Sequence, residues 1–474
     1  MSLKQKTIAG LTWSFIDSFV GQGIIFIVGI ILARILSPRE FGLVGMLTIF
    51  IAVSESFINS GFSSALIRKK ECTQTDYSTV FFFNLAVGTF LFVILFFSAP
   101  FIGEFFSEPE LTAIVRVFSI VLIIDSLTLI QRTTLTKRID FKLQARISII
   151  AATGSGVVAI YMACTGWGVW SLVTQRLSRE GINSLLLWLW NKWKPIWTFS
   201  KDSFKELFGF SSKLLISGLI DTIYNNVYFL VIGKFFAAQE LGYYTRADQF
   251  KSLPSQNLNN IIIKVSYPVL SSIQDDIPRL KETFKKIIRS TMLVTFVLML
   301  GLAAVAEPMI LTLIGKKWEP CVIYLQMLCF VGMLYPLHAL NLNMLMVKGR
   351  SDLFLRLEII KKALAVPVIV IAIFLGIKSM IFGMILLSLI AYYLNSYWSG
   401  RLIGYSLIAQ VKDILPSFMI AALMSMIVFI EGMLFKLTPL PMLIVQITTG
   451  AILTVGMCEM FRFKDYLYIK DIIN

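Results

Sequence analysis

The chain has 474 residues, 57% hydrophobic and 15% charged, with a mean hydropathy of +0.78 and a formal charge of +15. Soluble domains carry about 25% charged residues, so a chain this long and this apolar needs lipid as its solvent. Cys72, Cys164, Cys321, Cys329 and Cys458 form no CxxC pair and His338 is the only histidine, which argues against a disulfide framework, a metal site or a histidine-based triad; no cofactor is expected.

Lys4 and Lys6 precede an apolar run that reaches Ile35 with no A-x-A cleavage site, so the run predicts a first transmembrane helix and not a removed signal. About 20 apolar residues cross the hydrocarbon, and by that measure about fourteen helices are expected. The first eight are Ile8–Ile35, Phe41–Ser63, Ser78–Ile102, Thr112–Gln131, Ile147–Thr165, Val169–Trp190, Phe208–Gly233 and Tyr243–Val265, the last polar in its first half. Ile287–Ala306, Val322–Val347, Ile359–Leu375, Met380–Gly400, Ile414–Ile430 and Met442–Met460 follow. The fold class is all-α integral membrane.

Alternate loops are basic. One set holds Arg68 to Lys70, the run from Arg132 to Arg146, Lys192 to Lys213, Arg279 to Arg289, Lys348 to Lys362, Arg401, Lys412 and the tail residues Arg462, Lys464 and Lys470. With Lys4 and Lys6, roughly thirty of the 43 basic residues fall on this side, which the positive-inside rule makes cytoplasmic, as are both termini of an inner-membrane protein. The other loops hold only Arg34, Arg39, Lys234, Lys316, Lys317, Lys378 and Lys436, and one is acidic through Glu104, Glu108 and Glu110. The charge is thus a topology signal, and no nucleic-acid partner is expected.

An internal repeat is legible. Arg34-Ile-Leu-Ser-Pro-Arg-Glu-Phe-Gly42 resembles Lys234-Phe-Phe-Ala-Ala-Gln-Glu-Leu-Gly242, and Glu108-Pro109 matches Glu319-Pro320. Equivalent loops fall on one side of the membrane, so the repeat is parallel, with a pseudo-twofold axis along the membrane normal. The expected organisation is a six-helix lobe over 1–200, a second over 201–405, and two extra helices with a tail over 406–474. A two-lobed transporter with a central cavity is the physical consequence.

Ionisable groups inside a bundle are costly unless paired or hydrated, so they mark cavities, ion paths or structural pairs. The sixth helix carries Arg176, Arg179 and Glu180. Arg176 and Glu180 are four apart and can pair; the group reads either as a cationic cavity for a phosphate headgroup or as an internal salt bridge with Arg179 snorkelling. The eighth carries Arg246, Asp248, Lys251 and Lys264, with Gln256, Asn257, Asn259 and Asn260 between them and Pro254 to loosen its hydrogen-bond ladder. Lys251 is the deeper cation and Arg246 the one nearer the outer mouth. Asp17, Glu55, Asp125 and Asp221 are isolated acids, open to ion coupling or to pairing with the cavity arginines, and Asp248 joins that group. Arg116 suits snorkelling, Asn225 and Asn226 cavity lining or interhelical bonding, and His338 a satisfied core position. Trp188, Trp190, Trp193 and Trp197 read as an interface belt.

Several segments resemble a known family: Ala33-Arg-Ile-Leu-Ser-Pro-Arg-Glu-Phe-Gly-Leu-Val-Gly45, Gly61-Phe-Ser-Ser-Ala-Leu-Ile-Arg68, Asp76-Tyr-Ser-Thr-Val-Phe81 and Leu241-Gly-Tyr-Tyr-Thr-Arg-Ala-Asp-Gln-Phe250. Leu253-Pro254, Tyr267-Pro268 and Gln274-Asp-Asp276 continue the pattern. In order and spacing they resemble the polysaccharide and O-antigen flippases, the exopolysaccharide exporter branch of the multidrug/oligosaccharidyl-lipid/polysaccharide exporter superfamily. The resemblance implies a flippase, not an enzyme, that moves undecaprenyl-pyrophosphate-linked oligosaccharide between leaflets by alternating access. It also implies a cationic V-shaped cavity, lipid-linked oligosaccharide and membrane lipid as partners, and a polymerase of the same pathway as a further one. Asn59 and Ser60 stand before Gly61, where relatives often carry an acid.

The rivals are a drug/cation antiporter or a peptidoglycan-precursor flippase of the same fold, and then a membrane-embedded polysaccharide polymerase. An antiporter should have an acid-dominated cavity, whereas bases match or outnumber acids in the sixth and eighth helices. A polymerase needs an extended outer loop. Asp275-Asp276, beside Pro278, suits the start of an amphipathic interfacial helix carrying Lys281, Lys285 and Lys286 better than a metal site.

Overall fold

The computed structural model describes residues 13, 17–59, 61–435, 437–463, 465–467 and 470. Lys4, Lys6, Ser60, Lys436 and Lys464 lie outside the described residues, as do the side chains of Asp17 and Asn260. Among the described residues every regular element is helical. Among the described residues ten helical stretches are long and apolar enough to cross a membrane, so the chain is a multi-pass membrane protein. In lipid each backbone N–H and C=O must bond within the protein, and helices meet that demand segment by segment. Val169–Trp190, Ala238–Ser272 and Ser351–Leu375 are also long helices, but they fall outside that group. They carry charged residues along their length, among them Arg176, Lys251 and Lys361.

The chain divides into two compact units, Met1–Gly242 and Tyr243–Asn474. The first runs through α1 (Gln22–Ile35), α2 (Pro38–Asn59), α3 (Phe62–Arg68), α4 (Gln74–Phe106), α5 (Leu111–Phe118), α6 (Ile120–Lys137), α7 (Phe141–Cys164), α8 (Val169–Trp190) and α9 (Lys201–Phe235). Local chemistry sets the starts. Ser37 caps α2 in a box with Glu40, whose carboxylate takes the Ser37 N–H at 2.6 Å. Thr73 and Asp76 form the same box at α4. The core gathers Phe62, Val80, Phe81, Ile130, Trp193 and Leu207, and α9 lies along α2, joined by a 2.8 Å bond between Ser56 Oγ and Thr222 Oγ1. Trp193 is therefore a core residue whose indole donates to Gln74, while Trp197 is exposed and stacked on Phe82. The interface-belt expectation fits only part of that tryptophan cluster.

The second unit contains most of α10 (Ala238–Ser272), then α11 (Ile277–Ala304), α12 (Ala306–Leu313), α13 (Cys321–Gly332), α14 (Tyr335–Val347), α15 (Ser351–Leu375), α16 (Ile377–Ile403), α17 (Leu407–Leu434) and α18 (Pro439–Met460). Its core includes Phe284, Ile288, Met292, Leu340, Met344 and Tyr405. α11 packs along α17; with no hydrophobic drive between helices in lipid, close packing and buried polar contacts hold them. Asp276 caps α11, accepting from the Arg279 N–H at 3.1 Å. The basic stretch with Lys281, Lys285 and Lys286 is thus the first part of a continuous 28-residue helix, not a separate interfacial one. α10 holds Pro254 and Pro268 without a break. The Ser255 hydroxyl donates to the Lys251 carbonyl at 3.0 Å, a side-chain bond one residue along from the Phe250 carbonyl that Pro254 leaves without its amide donor.

The halves follow one element order. An extended residue, Leu36 or Phe236, separates the first pair of long helices in each. A membrane-length stretch of 27 residues, Leu111–Lys137 or Cys321–Val347, is interrupted once in each, at Ser119 in the first and at Met333 and Leu334 in the second. In the second, Pro336 removes an amide donor close after the interruption. The first turns of α2 and α10 also meet reciprocally: a Cβ on Gly42 would lie 1.7 Å from the Ala238 oxygen, and one on Gly242 would lie 1.9 Å from the Pro38 oxygen.

Candidate functional site

In the N-terminal unit the charged residues of α8 meet those of α2 and α6. Positions 176, 180 and 183 share one face of α8 by helical spacing. Arg176 Nη2 lies 2.8 Å from Glu55 Oε1 on α2, and Arg176 Nη1 lies 3.6 Å from Glu180 Oε1. Arg132 on α6 reaches Glu180 at 3.2 Å, and the Asn183 amide donates to the same carboxylate at 3.4 Å. Asp125 on α6 is within electrostatic reach of Glu180, Glu55, Arg176 and Arg132. Glu180 is buried, whereas the Arg176 side chain keeps 34% of its surface exposed. The result is a network of two arginines and three carboxylates on three helices, its carboxylate Glu180 buried and its arginines partly exposed. Ion pairs removed from water are held by mutual attraction only when their hydrogen bonds are nearly complete, and here Glu180 is the shared acceptor. Arg179 is half-buried on the same helix.

In the C-terminal unit α10 supplies a second cluster. Lys251 Nζ lies 2.6 Å from Asp248 Oδ1, and Ser252 donates to the other oxygen at 3.4 Å. The Lys251 stem lies over Gly332, at the interruption between α13 and α14, where a Cβ would stand 3.0 Å from Lys251 Cγ and Cδ. Arg246 is buried and donates to Gln249. Asn259 is buried, and further along α10 Ser266 accepts a 3.1 Å bond from the Asn343 amide of α14.

Of the remaining sequence-predicted residues, Asp221 is exposed on α9. Asp17 opens a short π-helical turn, Asp17–Gly21, and its side chain lies outside the described residues. His338 is bonded through Nε2 to Ser388 Oγ at 2.9 Å. The Glu55–Arg176 pair joins residues 121 positions apart, so no local spacing could announce it. Arg132 was expected only as a loop cation; its reach to Glu180 depends on how α6 packs on α8. Among the described residues no group of His, Cys, Asp and Glu has a metal-holding arrangement.

Residues 31–323 match the family model described as "Polysaccharide biosynthesis protein", and the chain belongs to that family. It is 26% identical over 357 residues to the teichuronic acid biosynthesis protein TuaB of Bacillus subtilis (strain 168), covering 74% of this chain and 73% of the relative. It is likewise 26% identical over 374 residues to the lipopolysaccharide biosynthesis protein WzxC of Escherichia coli (strain K12), covering 78% and 76%. In fold it is similar to the lipid II flippase MurJ in an inward closed conformation, with a TM-score of 0.78 at 15% identity over 96% of this chain and 100% of that one.

Proposed function

We propose that this protein is a flippase that carries lipid-linked oligosaccharide repeat units across the bacterial inner membrane for polysaccharide biosynthesis, with both termini in the cytoplasm. The observation that carries the reading is Arg176, held inside a membrane helix by Glu55 at 2.8 Å yet one-third exposed. An arginine so placed can exchange a carboxylate partner for a phosphate, because both present paired oxygens to the guanidinium. Lys251, held by Asp248 at 2.6 Å, offers a second such exchange.

Alternating access then follows from differential affinity. In the absence of substrate the carboxylates satisfy the cations. A pyrophosphate headgroup taken up from the inner leaflet displaces them, and its hydrocarbon tail stays in the bilayer. Release outward requires that the exchange be close to balanced, since a ligand held much more tightly in one state would stall there. Glu55, Asp125 and Glu180 then act as counter-ions, with Asp248 in the same role beside Lys251, and Arg179 and Arg246 as further cations of the path. The MurJ-like fold supports this reading over a polymerase.

One observation favours the rival of a cation antiporter: three carboxylates, Glu55, Asp125 and Glu180, share the α8 network. Transport in proteoliposomes separates the two. A lipid-linked oligosaccharide whose sugar becomes protected on translocation should be moved by the wild type, with or without a dependence on an ion gradient. The Arg176→Ala/Arg179→Ala variant should lose that movement. Unchanged movement in a folded variant removes the arginines from the path, and efflux of a cationic dye without sugar movement transfers the assignment to the antiporter.

A further inference from the structure

The C-terminal unit holds a cavity of about 220 Å³ between the Ala304–Leu311 region and the turn from α17 to α18. Its polar wall is Glu307, Gln326 and Gln446, with Phe429, Met433 and Leu311 among the apolar neighbours. Gln446 is 1% exposed. Its amide nitrogen donates to the Val428 carbonyl at 2.8 Å, which leaves Oε1 with no donor among the described residues. Gly432 holds the amide in that pose: a Cβ there would come within 2.6 Å of Gln446 Nε2. Gln326 likewise donates its nitrogen, to the Ala303 carbonyl at 3.3 Å, so its oxygen remains an acceptor. Glu307 adds an exposed carboxylate, and no lysine or arginine is among the described lining residues.

A buried carboxamide oxygen without a donor is destabilising unless something fills the position. The wall therefore asks for a donor, and the carboxylate asks for a positive one. Two amide oxygens and a carboxylate match the three N–H bonds of a primary ammonium; a quaternary ammonium has none to give. Met433 and Phe435 flank the opening with 71% and 56% of their surface exposed, apolar groups that suit lipid. The α17–α18 turn joins two helices of membrane-crossing length and belongs to the basic-poor set of loops.

We propose that this cavity binds the ethanolamine headgroup of a membrane phospholipid, its ammonium on Glu307, Gln326 and Gln446 and its chains along Met433 and Phe435. The site shares no lining residue with either charged cluster, and it makes bound lipid a structural ligand of the α17–α18 pair.

The test uses the purified full-length protein in detergent, with short-chain phosphatidylethanolamine, phosphatidylcholine and decylamine as probes. Binding is read by native mass spectrometry and by the rise in unfolding temperature. Phosphatidylethanolamine should bind in preference to phosphatidylcholine. Glu307→Gln, an exposed and fold-neutral change, should weaken it about tenfold and leave phosphatidylcholine unaffected. Gln446→Met should do the same, but is secondary because the position is buried. Equal binding of the two phospholipids, or no effect of Glu307→Gln, overturns the proposal. Decylamine bound with Glu307 sensitivity while phosphatidylethanolamine is not overturns the lipid assignment. If a preference for phosphatidylethanolamine emerges only in Lys436→Gln, the cavity serves the chain's own lysine and the proposal is also overturned.

Discussion

Gly42 and Gly242 form a reciprocal pair: each lies against the carbonyl of the residue that opens the other's helix, Ala238 and Pro38, with would-be Cβ distances of 1.7 and 1.9 Å. Both stand at the same place in the repeated loop motif. The obstacle is backbone, not a mobile side chain, so nothing near either glycine can yield without moving a helix.

Gly42→Ala and Gly242→Ala are therefore each expected to destabilise the protein by about 3 kcal/mol, the upper end for overpacking. Gly218→Ala, in α9 with nothing within 4 Å, is the control. It should be neutral or stabilising by up to about 1 kcal/mol through helix propensity. Thermal unfolding of the three purified variants checks this; a loss in Gly218→Ala equal to the others would remove the steric explanation.

The network around Arg176 predicts strong non-additivity. Arg176→Ala strands the partly exposed Glu55 and leaves the buried Glu180 to Arg132 and Asn183 alone, which should cost about 3 kcal/mol, the low end for a broken buried pair because solvent reaches the arginine and Glu180 keeps one cation. Glu55→Gln keeps an acceptor on Arg176 and should cost about 1 kcal/mol. The double variant should be less destabilised than the sum, with a coupling of at least about 1 kcal/mol. Additive losses in denaturant or thermal unfolding would mean that the 2.8 Å contact carries no net energy.

The same contrast separates what the sequence discloses from what it hides. Runs such as Val80 to Ala99 and Met292 to Ala304 declare membrane helices because lipid tolerates little else, and Ser37 with Glu40 or Asp276 before Ile277 mark helix starts by local hydrogen bonding. The repeated loops could be matched by eye, yet their closest feature, the Gly42 and Gly242 crossing, depends on packing between distant segments. Glu55 could be recognised as a costly acid but not as the partner of Arg176, since the pairing is fixed by how α2 and α8 cross. Pro254, whose missing N–H loosens the ladder, leaves α10 a single unbroken helix. The interruption between α13 and α14 lies next to Pro336 and Gly332, under the stem of Lys251.

That position supports a prediction about transport rather than folding. Gly332→Ala would place a methyl 3.0 Å from Lys251 Cγ and Cδ. A flexible stem can move aside, so the stability loss should stay within about 1 kcal/mol. Moving it would displace Nζ from its 2.6 Å contact with Asp248. Sugar translocation should therefore fall several-fold, roughly the effect of a misplaced binding group, while the unfolding temperature changes little. Loss of translocation only in parallel with loss of fold would show that Gly332 serves packing alone.

Asp465, in the tail beyond α18, tests how that tail is docked. It is 6% exposed, and Arg289 on α11 reaches it at 2.9 Å. Burial pushes its carboxyl above the usual carboxylate range, against the pull of Arg289. A folded-state pKa raised above the unfolded value means that the native state holds the proton more tightly. Its contribution to stability is then complete below the unfolded value of about 3.9 and is lost as pH rises through the folded one. Asp465→Asn should remove that slope, and near pH 7 it should be as stable as the wild type or more so, because the amide oxygen still accepts from Arg289 without a buried charge. Arg289→Gln should steepen the slope by withdrawing the only cation in contact with Asp465 among the described residues. Unfolding temperatures of the three proteins between about pH 4 and 8 decide the matter: a wild type that gains stability over Asp465→Asn as pH rises would mean that the ion pair outweighs the burial.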